Sequence, residues 1–159
     1  MTRSIFTSPI GPIYLNIENG RLTGLSYESF MHSSNSETET DFLTKQLTFT
    51  QLEEYFQGTR LEFDLPWQLS EGTDFQKRVW RMLDKIPYGE VWSYQDVAQK
   101  LGDVHAVRAV GQANRKNPLP IILPCHRVIG KNGRLVGYNG HEIDKKEWLL
   151  NHELQHFHF

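Results

Sequence analysis

The sequence predicts an α+β chain. A small N-terminal domain over residues 1–70 pairs an antiparallel sheet with a helix, and a mostly helical, helix-turn-helix (winged-helix-like) domain covers residues 71–159. Three observations carry this prediction. Ile13, Leu15 and Ile17 alternate with polar neighbours and run into Asn19-Gly20, a hairpin signal because both residues tolerate positive φ. Around Ser70 to Thr73 the composition shifts, and strand-like alternation gives way to helical stripes. Two short helical segments then meet at Gly102, the layout of a helix-turn-helix unit.

Each element follows from local pattern. After the hairpin a second strand returns over Leu22 to Tyr27, and residues 29–38 are polar and serine-rich, as a loop requires. From Glu39 to Phe56 the residues Phe42, Leu43, Leu47, Leu52 and Phe56 favour one helical face, with Gly58 as a stop. Leu61, Phe63 and Leu65 alternate again as a strand that Pro66 ends. Thr73 caps a helix whose stripe is Phe75, Val79, Met82 or Leu83, and Ile86, and Pro87-Tyr88-Gly89 makes a turn. Ser93 caps a helix from Tyr94 to about Leu101, and a third helix runs from His105 to about Arg115. Its small residues Ala109, Gly111 and Ala113 let a backbone approach something closely, a partner molecule or simply another helix. Asn117-Pro118-Leu119-Pro120 breaks the helix, Gly130 to Gly140 is a glycine-rich loop, and a last helix runs from about Asp144 to His152 or beyond.

At 159 residues with 38% hydrophobic and 23% charged side chains, the composition excludes a disordered, collagen-like or membrane-spanning chain. The start, MTRSIFTSPI, lacks a signal-peptide layout. The net charge of −2 conceals a split: 4 basic and 9 acidic residues over 1–70, then 13 basic and 10 acidic over 71–159. Between Val104 and His141 there is no Asp or Glu, yet Arg108, Arg115, Lys116, Arg127, Lys131 and Arg134 fall there. Such a span suits a polyanion, and equally a solvated basic surface. A single cysteine excludes an internal disulfide and a cysteine-rich zinc site, and a lone thiol is easiest to keep reduced in the cytoplasm.

That cysteine sits in ILPCHRVIG, directly before His126. A thiol ionises with a pKa of about 8.5 and becomes a strong nucleophile only as the anion, so a nearby imidazole oriented by a third polar group would activate it. Adjacent residues of an extended strand point to opposite faces, so the pair needs a turn just after Pro124, or a water between them. The bland alternative is an inert core cysteine. Residues 152–156 read HELQH, which fits H-E-x-x-H and a zinc hydrolase with Glu153 as base, although only three residues follow for a further ligand. A third possibility is a helix-turn-helix regulator in which Cys125 is only packed.

The segment RAVGQANRKNPLPIILPCHRVIG resembles the signature of the DNA repair alkyltransferases that act on guanine alkylated at O6, the methylated-DNA–protein-cysteine methyltransferases. The likeness extends upstream through IPYGEVWSYQDVA and downstream to KEWLLNHE. It implies a self-inactivating methyltransferase that moves an alkyl group from O6-alkylguanine, or O4-alkylthymine, onto Cys125 in one irreversible turnover. His126 would be the base through a water, Glu153 would orient the imidazole, and Asn117 would brace the turn leading to the cysteine. Tyr94, Gln95, Arg108, Ala109, Gly111, Ala113 and Arg115 would engage DNA, with Tyr94 helping to rotate the nucleotide outward and Arg108 filling the gap in the base stack. Tyr94, Asn114, Val128, Tyr138 and Asn139 would line the pocket for the extruded base. The implied partner is double-stranded DNA carrying O6-alkylguanine, approached through the minor groove by a monomer, with no cofactor, metal or membrane.

Overall fold

The computed structural model describes residues 1–30, 37–130 and 140–157, and for residues 140–144 the backbone alone. The chain divides into two compact units, Met1–Ser70 and Glu71–Phe159. Among the described residues no helix is long and apolar enough to cross a membrane.

The N-terminal unit is an antiparallel sheet in the order β1-β2-β3, with β1 at Thr2–Ser8, β2 at Gly11–Glu18 and β3 at Arg21–Ser26. The alternation of β2 places Ile13, Leu15 and Ile17 wholly inside, each contributing roughly 1.5–3 kcal/mol of apolar burial. Asn19 takes a φ of 51° and Gly20 of 74° in the hairpin, as Asn-Gly permits. Strand β1 carries no such alternation: Thr2 is buried while Ile5 is 57% exposed. For that reason the alternation pattern announces the sheet only from β2 onward.

Helix α1 (Glu39–Gln57) is capped by Thr38 and closed by Gly58 in the left-handed region. Its buried face differs from the expected one. Asp41, Thr44, Thr48, Gln51, Leu52 and Tyr55 turn inward, while Phe42, Leu43 and Leu47 are exposed. Polar anchoring explains the rotation. Asp41 accepts from the Gly20 amide at 2.7 Å and the Thr2 hydroxyl at 3.0 Å, and the Thr44 hydroxyl donates to the Gly20 carbonyl at 2.6 Å. Hydrogen bonds to a buried carboxylate, with the Thr44 bond beside them, outweigh completing the burial of Phe42, Leu43 and Leu47, which are already about half covered. Asp41→Ala is therefore expected to cost the N-terminal unit about 2–3 kcal/mol, seen as a lower urea midpoint.

The strand expected over Leu61 to Leu65 does not form. The amide and carbonyl of Asp64 are both taken by the Gln51 side chain, at 2.8 and 2.9 Å, so no ladder partner is needed. Sheet contact comes only after Pro66, where Leu22 pairs with Trp67 in an isolated parallel bridge.

In the C-terminal unit α2 (Asp74–Leu83) begins with a full capping box between Thr73 and Gln76 and buries Val79, Trp80 and Leu83. Helix α3 (Tyr94–Lys100) begins with a second such box between Ser93 and Asp96, and Gly102 turns the chain at φ 81°. Helix α4 (Val107–Arg115) starts two residues later than expected, after Ala106, which offers no side-chain cap. Helices α2, α3 and α4 pack together, and the Trp80 indole donates to the Ala113 carbonyl at 2.8 Å. Two short strands that the alternation did not announce, β4 (Trp92–Ser93) and β5 (Val128–Ile129), pair in parallel. Helix α5 spans Gly140–His156.

Candidate active site

The site grows from the segment between α4 and β5. Asn117 braces its entry: the side-chain amide donates to the Leu123 carbonyl at 2.7 Å, and its oxygen accepts from the Leu119 amide at 3.0 Å. Within that brace Ile121 holds a φ of 75°, a left-handed conformation that costs a β-branched residue roughly 1–2 kcal/mol, while its side chain is buried. Pro124, at φ −77° and ψ 70°, centres an inverse γ-turn closed by the Cys125 amide and the Leu123 carbonyl at 2.7 Å. A 3₁₀ turn over Cys125–Arg127 follows. This is the turn after Pro124 that the side chains of Cys125 and His126 require if they are to share one region.

Cys125 is a free thiol at 6% exposure, and His126 is buried at 2%. His126 Nε2 lies 2.6 Å from Glu153 Oε2. Arg127 grips the same carboxylate, with Nε donating to Oε1 at 2.8 Å and a terminal nitrogen to Oε2 at 3.1 Å, while its other terminal nitrogen donates to the Ile86 carbonyl at 2.6 Å. Burial pushes Glu153 up, but the hydrogen bond from His126 and the charge and hydrogen bonds of Arg127 outweigh it and hold the carboxyl well below the usual range. An ionised carboxylate only accepts, so Nε2 carries the proton. Burial lowers the His126 pKa, favouring the neutral ring. Neutral and protonated at Nε2, the imidazole presents a lone pair at Nδ1, which is buried with no hydrogen-bond partner among the described residues. The arrangement is a general base with its proton acceptor unspent.

Around the thiol stand Tyr94, Asn114 and Lys146. Asn114, at 1% exposure, directs its amide toward the Cys125 carbonyl at 3.4 Å. Tyr94 is shifted upward, chiefly by burial and also by Cys125, against an opposing hydrogen bond from Asn114, so its phenol keeps its proton at neutral pH. Lys146 donates to the Val128 carbonyl and lies 5.8 Å from the centroid of the Tyr94 ring. Burial brings its pKa down to about 8, opposed by the neighbouring Cys125. Lys146 belongs to no local motif in the sequence, and Arg127 falls there among the basic surface residues. That assignment is corrected: Arg127 is 6% exposed and its guanidinium belongs to Glu153. The signal for Lys146 lay in α5, where positions 146, 149 and 153 fall on one face with the buried Leu149.

The residues expected to meet DNA separate into two groups. Arg108, Ala109, Arg115 and Gln95 are exposed on α3 and α4. Gly111 is half-buried and faces Tyr94, whose ring lies 3.8 Å from where a Cβ would stand. Ala113 leaves the DNA-facing set: at 2% exposure it packs beneath Trp80, and its smallness serves helix packing. Val128 is fully buried in β5. Tyr138, Asn139, Lys131 and Arg134 lie outside the described residues.

The H-E-x-x-H reading fares poorly. Glu153 is engaged by His126 and Arg127, His152 stacks on Trp148 at 4.9 Å, and His156 Nδ1 donates to the His152 carbonyl at 2.7 Å. Among the described residues no three His, Cys, Asp or Glu side chains are grouped to hold a metal ion.

Residues 74–155 match the family model described as 6-O-methylguanine DNA methyltransferase, DNA binding domain, and residues 1–69 match the one described as 6-O-methylguanine DNA methyltransferase, ribonuclease-like domain. The constitutive methylated-DNA–protein-cysteine methyltransferase of Bacillus subtilis is 44% identical, over 92% of this chain and 91% of its own length. A methylated-DNA–protein-cysteine methyltransferase of Methanosarcina acetivorans is 46% identical, over 96% and 98%. Among solved structures, that of Mycobacterium tuberculosis OGT in complex with DNA superposes with a TM-score of 0.87 at 42% identity, covering 98% of this chain and 94% of the other.

Proposed function

Because the chain belongs to the 6-O-methylguanine DNA methyltransferase family, we propose that it repairs DNA by moving an alkyl group, methyl above all, from O6 of guanine to Sγ of Cys125. The observation that carries this reading is the buried chain Arg127–Glu153–His126 beside the one thiol, with His126 Nδ1 left as a base. A packed cysteine needs no such base, and a buried Arg–Glu–His cluster is costly to maintain without a use.

In the proposed reaction His126 takes the thiol proton through a water. Sγ attacks the alkyl carbon, the carbon–oxygen bond breaks, and its electron pair passes into the purine. The purine then takes up a proton, so thiol and O6-alkylguanine become thioether and guanine. Tyr94, kept protonated, donates a hydrogen bond to the ring as negative charge arrives there. Asn117 and Asn114 hold the cysteine segment in place. The exposed Arg108, with Ala109, Gln95 and Arg115, suits a minor-groove approach in which Arg108 takes the place of the extruded nucleotide. Asn114, Val128, Tyr138 and Asn139 are assigned to the base pocket. The thioether is stable to biological nucleophiles, so one molecule carries out one transfer, and O4-alkylthymine is a second substrate. In this reading residues 1–70 act as scaffold and the working form is a monomer on duplex DNA, and a lone thiol, easiest to keep reduced there, supports a cytoplasmic location.

The test is a duplex carrying a single O6-methylguanine. Transfer predicts that the peptide containing Cys125 gains the mass of one methyl, that guanine is restored, and that repair stops at one equivalent. A second arm with O4-methylthymine reads the further substrate. Binding without any gain in mass would leave only the regulator reading.

A further inference from the structure

Beyond Glu153 the network continues. The Arg127 guanidinium lies over the Tyr88 ring, 5.4 Å from its centroid. Tyr88 in turn stacks against Phe157, with centroids 6.4 Å apart and planes 27° from parallel. Phe157 stands just past α5 and is held down by the turn next to Tyr88. Gly89 has a φ of 84°, and a Cβ there would come within 2.5 Å of the Phe157 ring. The turn thus needs glycine twice, for its backbone and for the phenyl group lying on it. Read in order, the contacts run Phe157, Tyr88, Arg127, Glu153, His126. Every link joins side chains of the same unit, and the outermost one comes from just past the end of the helix that carries Glu153.

We infer that Phe157 is a positioning residue for the alkyl transfer, which clamps Tyr88 under Arg127 and so fixes the carboxylate that orients His126. The inference rests on the reading of Cys125 as the alkyl acceptor. Its physical basis is the geometry of a cation held on an aromatic face. An arginine that stacks on one ring and chelates one carboxylate has little freedom, and a carboxylate held by a fork cannot swing away from its imidazole. Removing the outer ring opens Tyr88 to water and frees the guanidinium to turn outward. Water then reaches Glu153 and His126, and the burial that keeps the imidazole neutral is relieved. The charged groups acting on His126 are Glu153 and Lys146 from α5 and Arg127 from its own turn. The clamp sets how dry the first and last of these remain.

The experiment compares the rate of methyl transfer from an O6-methylguanine duplex between pH 5 and 9 for the wild type, Phe157→Ala, Phe157→Leu and Phe157→Tyr. Duplex affinity and thermal melting are recorded alongside. The expected result is a loss of about tenfold at pH 7 in Phe157→Ala, the scale of one lost cation–aromatic contact. The acid limb of the profile moves to higher pH, duplex affinity is unchanged and Phe157→Tyr restores the rate. Phe157→Leu, which keeps bulk and folding but lacks the flat face, falls between. Equal rates and profiles for wild type and Phe157→Leu and Phe157→Ala overturn the proposal, as does a loss that only parallels melting and leaves the acid limb in place. A wild type that transfers nothing overturns the reading of Cys125 instead, and the clamp with it. A wild type that transfers while the variants match it sinks the clamp alone.

Discussion

Replacing Cys125 with serine is expected to abolish methyl transfer while leaving fold and duplex binding intact. The change removes one polarisable atom from a buried site and substitutes a smaller one, so packing around Pro124 and Val128 is barely disturbed. The chemistry is a different matter. A serine hydroxyl loses its proton far less readily than a thiol, and its oxygen is a harder nucleophile toward an unactivated alkyl carbon. His126 stays in place but faces a proton that it cannot usefully remove. Intact-protein mass spectrometry after incubation with an O6-methylguanine duplex should show no added methyl, while a gel-shift assay shows binding as in the wild type. Retained transfer in this variant would mean that another side chain accepts the group.

Glu153→Gln carries the second large effect, and it acts on both rate and stability. The amide cannot hold Arg127 as the carboxylate does, so a buried guanidinium is left without its counter-ion, at a cost of about 3–5 kcal/mol. The imidazole also faces an amide that can turn either its oxygen or its NH2 toward Nε2, so the proton is no longer fixed there and Nδ1 no longer presents a lone pair by default. Transfer at neutral pH is expected to slow by roughly 10²–10⁴-fold. Alkaline buffer, which removes the thiol proton directly, should recover part of the rate in this variant more than in the wild type. Single-turnover kinetics across pH and a urea titration measure the two consequences separately.

The same pair governs acid sensitivity. His126 titrates below its ordinary 6.5 when folded, so its contribution to stability is full above that value and is lost as the pH falls beneath it. Glu153 also titrates below its ordinary value, so its contribution is full above about pH 4.5 and disappears as the pH drops toward its folded value. Unfolding free energy should therefore decline in two stages on acidification, first below 6.5 and again below 4.5. Glu153→Gln should remove the second stage, and urea midpoints between pH 3 and 8 provide the check.

What the sequence disclosed depended on whether the signal was local. Capping residues such as Thr73 and Ser93, the Asn19-Gly20 turn and the alternation of Ile13, Leu15 and Ile17 act within a few positions, and each could be read directly. The inward face of α1 could not, because it is chosen by Asp41 reaching a hairpin amide some twenty residues away. The same holds for Asp64, whose backbone is satisfied by the Gln51 side chain. At the site the thiol and its neighbouring imidazole stood out as residue types, and the family resemblance offered Glu153 as a partner. Arg127 did not stand out, since an arginine in a basic span looks like surface until its carboxylate is known. Lys146 was hidden for the opposite reason, as the second of two adjacent lysines on a helix.

The two-rung pairing of Trp92 with Val128 and Ser93 with Ile129 makes everything between those rungs a closed circuit. The start of α3 and the exit from the nucleophile's turn are clasped together, so neither can be lengthened or displaced without pulling on the other. Within that circuit, spare residues are accommodated best at the solvent-facing corner of Gly102 to His105, where successive residues are exposed. An inserted residue between Asn117 and Cys125 would be passed through the paired rungs to the start of α3, and the helices proposed to meet the duplex would lose their alignment with the Cys125 sulfur.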